Sequence, residues 1–382
     1  MTLAHRHEPR RIMLFANTDW YLYNFRLSLA QALHARGDHV VLCSPAGPYA
    51  ARLERLGFCW REVGVARSFT TPWREANSVR QLARILREER IALIHSCTLK
   101  CVLIAAIASW RSTRISRLHA MAGLGHAFSS TSPRARWLRP LLSRVLAWAC
   151  SQARTRTLVQ NPDDADTLLR LGIVAPGILH VVRSSGVDLA RFAPKQTAPA
   201  ACLVVAIMAR LLRSKGIEEF VDAARHMRRA GRNMRFVVAG AIDEEHPDAV
   251  PAETVNHWHR QGLIHWVGHV DDAAAFLGDA DVFALPSYYG EGVPRSLVEA
   301  AACGLPLVTT NFPGCREVVT TDGVDGLHVP PRDADALAQA LMRLDDDRAL
   351  MATLGQAARI RAAEFAEDNV LEQTLRLYEQ LP

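Results

Sequence analysis

The stretch Leu285–Val318, LPSYYGEGVPRSLVEAAACGLPLVTTNFPGCREV, predicts a strand, a loop, a helix and a second strand in succession. The apolar run in ADVFALPS at 280–287 is short and continuous and ends at Pro286, as expected of a buried parallel strand. After a loop, Pro294 begins a helix at a position where its missing N–H costs nothing. Gly304 ends that helix, and GLPLVTTN is the next buried strand. This alternation indicates an α/β fold with parallel sheets.

Two glutamates eight positions apart belong to this unit, Glu291 before the helix and Glu299 within it. A helix N-terminus presents backbone N–H groups and a positive dipole end, which suit a phosphate. Gly290 and Gly292 leave room for a ligand to approach the backbone. Since carboxylates accept hydrogen bonds from sugar hydroxyls, the pattern favours a nucleoside diphosphate with hydroxylated rings on both sides. The alternative is an ordinary strand–loop–helix crossover with surface acids.

These residues resemble the signature of the retaining glycosyltransferases of family 4, two glutamates separated by seven residues in the block PSxxEGxPxxxxEAxAxGxPVV. The chain reads PSYYGEGVPRSLVEAAACGLPLV, with one extra residue ahead of the first acid. The resemblance implies a GT-B fold, in which two Rossmann-like domains with parallel sheets face each other across a cleft. It also implies that Glu291 contacts the donor sugar and that Glu299 contacts the ribose. The donor-binding residues that it implies around these acids are Gly290, Gly292, Val293 and Pro294.

A second family feature lies in the turn after the strand CLVVAIMAR. Family 4 has an arginine and a lysine there that clamp the donor diphosphate, and the resemblance maps them to Arg210 and Lys215. Lys215 is the only lysine in residues 196–382 of a chain with three lysines in all. A compact charge on a flexible stem suits a diphosphate approached from a turn. The resemblance therefore implies a nucleotide-sugar donor, with a UDP-sugar favoured, and no separate cofactor.

Length and composition point to a two-domain α/β protein. The chain has 382 residues, 49% of them apolar, and a mean hydropathy of +0.01. No apolar run approaches the roughly 18–20 residues that span a bilayer, and the N-terminus lacks the apolar core of a signal peptide. Eight cysteines without a C-x-x-C pair predict reduced, buried thiols in a cytosolic protein.

The charge balance changes sign along the chain. Residues 1–195 hold 28 basic and 12 acidic residues (+16), whereas residues 196–382 hold 17 and 27 (−10). The change of sign supports a domain boundary near residue 195. The resemblance implies that residues 1–195 form an N-terminal acceptor-binding domain and residues 196–365 a nucleotide-sugar-binding domain. The resemblance implies a final helix at 366–382 that packs back on the first domain. No acid occurs from Arg90 to Pro162, which favours an anionic partner, although an arginine-rich composition accounts for part of the bias.

The N-terminal βαβ pattern lacks G-x-G-x-x-G, which disfavours a dinucleotide-dependent dehydrogenase. A strand at 11–18 precedes a helix predicted over Asn24–Arg36 by its apolar stripe. The segment WYLYNFR resembles family-4 enzymes that act on lipid-linked acceptors. Arg26 in this segment is a candidate to bind an anionic acceptor, and a solvated arginine at a helix start is an equal alternative.

The glycine-rich stretch HAMAGLGHAFSS follows a strand predicted over Ile115–Met121. Ligands of α/β proteins bind at such carboxyl ends, so Gly123 and Gly125 are candidate acceptor-binding residues. Many family-4 enzymes have a histidine here near the anomeric carbon of the donor. The resemblance offers His119, taken as a catalytic candidate, and His126, taken as an acceptor contact, without deciding between them.

The segment Arg134–Arg156 mixes tryptophan, leucine and arginine, including Arg136, Arg139 and Arg144. Such a composition is typical of a helix that lies in a membrane interface, and a core-facing helix with outward arginines is the alternative. Together with the resemblance to enzymes that build O-antigen, capsule or protein-glycan precursors, it predicts an anionic membrane surface as partner. The expected acceptor is a polyprenyl-diphosphate-linked glycan at the inner leaflet of a bacterial membrane.

Neither a metal site nor a nucleic-acid partner is predicted. The histidine-dense region His246–His265 lies on loop and helix positions without convergent ligands. Asp279-Ala280-Asp281 imitates the D-x-D of metal-dependent transferases but immediately precedes a buried strand. The sequence thus favours a metal-independent glycosyltransferase, and the resemblance alone implies that it retains the configuration of the transferred sugar. A nucleotide-sugar epimerase on the same fold and a non-catalytic subunit of a polysaccharide assembly complex stay open.

Overall fold

The structure, a computed structural model, describes residues 8–65, 72–124, 128, 133–195, 201–244 and 246–381. The chain divides into two compact units, the first comprising Met1–Gly186 with Asp368–Pro382 and the second Val187–Glu367. Val187 and Phe192 pack in the core of the second unit. The boundary predicted from the sequence, near residue 195, therefore lies C-terminal to the boundary between the two compact units, which falls between Gly186 and Val187.

The first unit is organised around a parallel sheet. Its strands are β1 (Arg11–Phe15), β2 (His39–Ser44), β3 (Cys59–Glu62), β4 (Leu93–Cys97), β5 (Ser116–Met121), β6 (Thr155–Val159) and β7 (Leu179–Val181). Among the described residues these seven strands pair in the order β3-β2-β1-β4-β5-β6-β7. The order reverses between β1 and β4, as in doubly wound folds.

Helices cover the faces of this sheet. The described ones are α1 (Asp19–Phe25), α2 (Leu27–Ala35), α3 (Ala50–Arg55), α4 (Pro72–Glu88), α5 (Leu99–Ser109), α6 (Pro133–Cys150) and α7 (Pro162–Arg170). Helix α7 begins at Pro162, after Asn161 accepts a hydrogen bond from Asp164 N at 2.7 Å. Asn161 and Pro162 thus fix the start of α7, because asparagine is favoured at the N-cap and proline at the first helical position.

The prediction of one helix over Asn24–Arg36 is wrong, because two helices meet at Arg26. Helix α1 begins earlier, since the Thr18 side chain accepts a hydrogen bond from Tyr21 N at 3.0 Å. Arg26 leaves the helical region with φ −132° and ψ 0°. Its guanidinium group donates to Cys97 Sγ at 3.3 Å. The break therefore places a buried cation between α1 and α2.

The second unit has its own parallel sheet. Its strands are β8 (Leu203–Met208), β9 (Met234–Ala239), β10 (His265–Gly268), β11 (Val282–Leu285), β12 (Leu307–Thr310) and β13 (Leu327–Val329). In the part of this unit that the structure describes, six strands pair in the order β10-β9-β8-β11-β12-β13. The buried strand, loop, helix and strand predicted around Leu285–Val318 are all present.

The helices of the second unit pack against both faces of that sheet. They are α8 (Ile217–Arg229), α9 (Ala252–Arg260), α10 (Ala273–Gly278), α11 (Arg295–Ala302), α12 (Cys315–Val318), α13 (Ala334–Asp346) and α14 (Arg348–Ala362). Helix α8 directly follows the turn that contains Lys215. Helix α11 ends at Ala302, and Gly304 follows in the left-handed region with φ +69°.

The last helix, α15 (Glu367–Glu379), belongs by its packing to the first unit. Its Val370, Leu377 and Tyr378 lie in the same apolar cluster as residues of β1 and β4. Tyr378 Oη lies 2.7 Å from His95 Nδ1 in β4. No helix among the described residues is both long and apolar enough to span a bilayer.

Candidate active site

The reversal of strand order in the second unit places two loops side by side. Strands β8 and β11 are neighbours in the sheet, and the order reverses between them. The turn after β8 carries Arg210 and Lys215, and the loop after β11 carries Glu291. Ligands of doubly wound sheets bind at the carboxyl ends of strands at such a reversal. Residues that are 76 positions apart in the chain, Lys215 and Glu291, therefore meet.

Hydrogen bonds hold the turn after β8 against the loop after β11. A short 3-10 helix spans Arg213–Lys215. Ser214 N donates to Asp248 Oδ2 at 2.9 Å, and Tyr288 N donates to the Ser214 carbonyl at 2.8 Å. The first bond anchors the turn, and the second ties it to the loop that leads to Glu291.

Gly216 lets the turn approach β11 closely. Its φ is +78°, and a Cβ added there would lie 2.5 Å from the Pro286 carbonyl oxygen. Any other residue would therefore push the turn away from the end of β11. The glycine that follows Lys215 thus fixes the distance between the two loops.

Lys215 and Glu291 form a largely buried ion pair at the centre of the site. Lys215 Nζ donates to Glu291 Oε2, and Ser287 Oγ donates to Glu291 Oε1 at 3.1 Å. Both carboxylate oxygens are thereby bound. An ion pair gains strength where water is largely removed, so this pair fixes both side chains beside the carboxyl end of β11.

Arg210 and Lys215 share an aromatic neighbour, Tyr289. Arg210 Cζ lies 5.9 Å and Lys215 Nζ lies 5.1 Å from the centroid of the Tyr289 ring. Arg210 is half-exposed, and its Nη1 lies 3.3 Å from Asp243 Oδ2. The two cations predicted to clamp a diphosphate thus converge on the face of one tyrosine.

The loop residues predicted to surround a donor lie directly before α11. Gly292, Val293 and Pro294 are buried and Gly290 is half-buried. Pro294 is the N-cap of α11, and no side chain of the described residues caps this helix end by a hydrogen bond. The positive end of the α11 dipole therefore points toward the loop that carries Glu291.

Glu299 lies inside α11 and is almost fully buried. Burial raises the pKa of its carboxyl above the usual value, while Arg295 opposes that rise. Arg295 Nε donates to Glu299 Oε1 at 2.7 Å, an i,i+4 pair within the helix. The pair orients Glu299, and its contact with a ribose stays a prediction.

Each carboxylate oxygen of Asp281 has a partner within the second unit. Its Oδ2 accepts from Val204 N at 2.9 Å, and its Oδ1 pairs with Lys195 Nζ. The carboxylate thus joins the start of β11 to β8. Among the described residues, no group of three or more histidine, cysteine, aspartate or glutamate side chains could hold a metal ion. Metal independence itself stays a prediction.

His119 of the first unit lies within β5 and is fully buried. Its Nδ1 lies 2.8 Å from Ser96 Oγ, and Nε2 has no partner among the described residues. Burial, and secondarily the charge of Arg117, lower the pKa of His119 to about 3. The ring is neutral at pH 7 and has no exposed surface, so nothing in the structure supports its predicted contact with a donor.

The remaining first-unit candidates are only partly described. Gly123 follows β5 with φ +89°. Gly125 and His126 lie outside the described residues. Arg26 is buried beside the carboxyl end of β4, where it contacts Cys97. None of these positions lies in the same unit as Glu291.

Four residues of the site were not singled out from the sequence: Ser214, Asp248, Ser287 and Tyr289. Tyr289 stands two positions before Glu291, and an aromatic ring beside a predicted cation pair was a usable signal. Asp248 lies 34 positions from Ser214 on another loop, and no local pattern predicts that contact.

Comparisons with known proteins agree with this geometry. The family model described as "Glycosyltransferase Family 4" matches residues 25–191, and the model described as "Glycosyl transferases group 1" matches residues 202–347. The two matches cover most of the first and second units respectively.

Curated relatives and solved structures include glycosyltransferases. The chain is 26% identical over 383 residues to N,N'-diacetylbacillosaminyl-diphospho-undecaprenol alpha-1,3-N-acetylgalactosaminyltransferase of Campylobacter jejuni, covering 97% of this chain and 99% of the relative. It is 25% identical over 325 residues to UDP-Gal:alpha-D-GlcNAc-diphosphoundecaprenol alpha-1,3-galactosyltransferase of Escherichia coli, covering 82% and 81%.

The fold is similar to that of the crystal structure of Anabaena HepE in complex with UDP and glucose. The TM-score is 0.78 at 19% identity, with 97% of this chain and 100% of that chain covered. This likeness shows the predicted GT-B fold, and the family models and relatives show the enzyme class. The chain therefore belongs to the GT-B glycosyltransferases of the family-4 type.

Proposed function

We propose that the protein is a retaining, metal-independent glycosyltransferase that uses a nucleotide-diphosphate sugar, with a UDP-sugar favoured. Its proposed acceptor is a polyprenyl-diphosphate-linked glycan in bacterial surface polysaccharide synthesis. The observation that carries the donor assignment is the convergence of Arg210 and Lys215 on Tyr289, beside Glu291. Two cations and a carboxylate at the reversal of a doubly wound sheet suit the diphosphate and the sugar of one ligand.

Departure of the diphosphate builds negative charge on its oxygens and oxocarbenium character on the sugar. Arg210 and Lys215 stabilise the first change, as does the positive end of α11. These groups are held in place before the donor arrives, since hydrogen bonds from Ser214 and Tyr288 fix the turn. Such preorganisation is the main source of electrostatic catalysis.

The Lys215–Glu291 pair couples donor binding to the orientation of the donor sugar. Without donor, each side chain neutralises the other. A bound diphosphate competes for Lys215, and Glu291 is then left with Ser287 as its partner. The released carboxylate oxygen accepts a hydrogen bond from the donor sugar. Donor binding and sugar orientation are thereby coupled through one ion pair.

The nucleotide and the acceptor are supported by the names of similar proteins. HepE was solved with UDP and glucose. The names of the Campylobacter jejuni and Escherichia coli relatives specify undecaprenol-diphosphate-linked acceptors. The proposal extends both to this chain and places its work at the inner leaflet of the plasma membrane.

A panel of nucleotide sugars tests the donor assignment. Purified protein is heated with UDP-, GDP-, dTDP- and ADP-linked hexoses, and the midpoint of unfolding is recorded. A UDP-sugar at about 100 times its Kd stabilises the native state by about 2.7 kcal/mol. If none of the panel raises the midpoint, the proposed donor class is wrong. The anomeric configuration of the product, read by proton NMR, tests retention.

One face of α6 suits the proposed membrane surface. Trp137, Leu141, Arg144 and Trp148 are exposed, and their spacing of four, three and four residues places them on one stripe. Leu146 on the opposite side packs in the core of the first unit. Tryptophan and leucine with arginine on a surface helix are typical of helices that lie in a bilayer interface.

Arg139 does not share that stripe. It lies seven residues before Leu146, on the packed side of α6, and is half-buried. Arg136, Arg139 and Arg144 were predicted together as membrane-contacting arginines. Of these, Arg144 lies on the exposed stripe and Arg139 does not, and the side chain of Arg136 lies outside the described residues. Charge reversal at Arg139 would therefore test packing rather than membrane binding.

Leu141→Glu is expected to weaken binding to anionic vesicles. Leu141 is 62% exposed, and loss of its burial in the interface costs about 1.5–3 kcal/mol, or roughly 10- to 150-fold in partitioning. Co-sedimentation with phosphatidylglycerol vesicles at low salt measures the effect. Ile360→Glu, at a 77% exposed position of α14 in the second unit, is the matched control.

Binding of the wild-type protein should fall as salt screens the surface charges. The membrane surface would be excluded as a partner by equal recovery of protein in the supernatant with neutral and anionic vesicles. Equal losses in Leu141→Glu and Ile360→Glu would instead exclude α6 as the contact.

Chelation of divalent cations is expected to leave transfer intact. The charge on the leaving diphosphate is met by Arg210, Lys215 and the end of α11 rather than by a cation. Activity is compared with and without EDTA in cation-free buffer. Loss of turnover in EDTA that magnesium or manganese restores would contradict the metal-independent mechanism.

A further inference from the structure

A small pocket opens in the first unit between α1, α2, β4, β6 and α15. Its volume is about 20 Å³, enough for one water-sized group. The polar side chains that line it come from Arg26, Ser28, His95, Ser184, Ser185 and Thr374, and the others are apolar. Among the described residues, no carboxylate lines this pocket, which we call the Arg26 pocket.

Arg26 is a buried cation without a carboxylate partner among the described residues. Its side chain donates to Cys97 Sγ at 3.3 Å, to the Phe25 carbonyl at 2.9 Å and to Tyr21 Oη at 3.3 Å. The residue is 6% exposed. A buried charge is costly unless an opposite charge or hydrogen bonds compensate it. These neutral partners satisfy part of the guanidinium group and leave its charge unbalanced.

Two further buried polar atoms of the pocket have no partner among the described residues. They are Nε2 of His95, which is 1% exposed, and Oγ of Ser184, which is 4% exposed. Buried polar atoms are almost always hydrogen-bonded in native proteins. Two such atoms beside an unbalanced cation indicate that a bound group completes the pocket.

The chemistry of these atoms selects an anion. Burial, and secondarily Arg26 itself, hold the pKa of His95 well below its usual value, so the ring is neutral. In the tautomer that accepts a hydrogen bond from Tyr378 Oη at Nδ1, the ring proton is on Nε2, and this is the tautomer that can donate to an anion in the pocket. The pocket then presents N–H groups of Arg26, the N–H of His95 and the hydroxyl of Ser184. Donors without an opposing carboxylate suit an anionic oxygen.

We propose that the Arg26 pocket receives one oxygen of a phosphoryl group. Resting on the proposed function, we assign that group to the diphosphate of the lipid-linked acceptor. The volume admits a single oxygen rather than a whole phosphate, so the remainder of the ligand lies outside the pocket. Free phosphate or diphosphate offers the same oxygen, and the experiment separates these sources.

Binding is measured by calorimetry in a Lys215→Ala background, which removes the main cation of the donor site. The probes are farnesyl diphosphate and inorganic pyrophosphate. The test variants are Ser184→Ala, which deletes a hydroxyl without a partner in the described structure, and Arg26→Gln. The control is Arg52→Gln, an exposed arginine of α3 in the same unit. Circular dichroism verifies that each variant is folded.

We expect farnesyl diphosphate to bind at least fivefold more weakly to Ser184→Ala, and at least tenfold more weakly to Arg26→Gln, than to Arg52→Gln. Equal affinity in all three variants overturns the pocket assignment, because a pocket filled by water only would give this result. Ser184→Ala decides the question if Arg26→Gln does not fold. Pyrophosphate that binds as tightly as farnesyl diphosphate, with the same losses, supports the anion pocket and overturns the lipid source.

The outcome is independent of the donor site. The Arg26→Gln variant is also made with Lys215 intact and heated with a UDP-sugar. A raised unfolding midpoint shows that its donor site is intact. Unchanged farnesyl diphosphate affinity in that case overturns the pocket and leaves the proposed transferase standing. Loss of every nucleotide-sugar effect in the wild type would overturn the proposed function instead.

Discussion

Lys215→Ala is expected to weaken donor binding by at least tenfold and to reduce transfer to background. Each hydrogen bond to a charged group contributes about 1.5–3 kcal/mol, or roughly 10- to 150-fold in affinity. The substitution also leaves Glu291 in a largely buried position without its cation. A carboxylate deprived of its partner repels the approaching diphosphate, which adds to the loss. Calorimetric titration with the UDP-sugar chosen by the thermal panel measures the donor Kd.

Lys195→Ala is the matched control for this prediction. Lys195 also belongs to the second unit and also pairs with a buried carboxylate, that of Asp281. The same change therefore removes a lysine–carboxylate pair, but away from the loops that carry Arg210 and Glu291. Donor affinity should be unchanged in Lys195→Ala, while its stability falls. Donor affinity unchanged in Lys215→Ala as well would contradict the diphosphate clamp.

The parts of the fold that periodicity controls could be predicted from the sequence. Buried parallel strands are predicted by short apolar runs, and β8, β11 and β12 lie within the runs that predict them. The break at Arg26 was missed because the apolar stripe continues through it. The signal for the earlier helix start was Thr18, whose side chain caps α1.

The site was predictable where residues follow strand ends and unpredictable where contacts cross between loops. Glu291 and Lys215 each stand after a strand, so the sheet topology brings them together. Asp248 binds Ser214 from a third loop, and chain position alone does not indicate that bond. His119 lies within β5, and its ring is fully buried. Alternation of side chains along a strand decides such burial, so its contact with a donor stays a prediction without structural support.

Gly314→Ala is expected to lower kcat/KM by about 100-fold through the loop that carries Glu291. Gly314 has φ +87° at the start of α12, and a Cβ there would overlap the Gly292 carbonyl oxygen and lie 2.9 Å from the Glu291 carbonyl oxygen. These are backbone atoms, so they cannot rotate away as a flexible side chain would. The loop must shift by about 1 Å, and a displacement of that size in a catalytic group costs on the order of 100-fold in rate.

Gly323→Ala separates this effect from backbone strain. Gly323 lies in the same unit with φ +74°, and a Cβ there would meet nothing within 4 Å. Both variants place alanine at a positive φ, a conformation that strains an L side chain, so the unfolding midpoint falls in both. The overlap with Gly292 exists only in Gly314→Ala. Activity measured well below both midpoints should therefore fall in Gly314→Ala and stay near wild type in Gly323→Ala. Equal kcat/KM in the two variants would show that the position of the Glu291 loop does not limit the reaction.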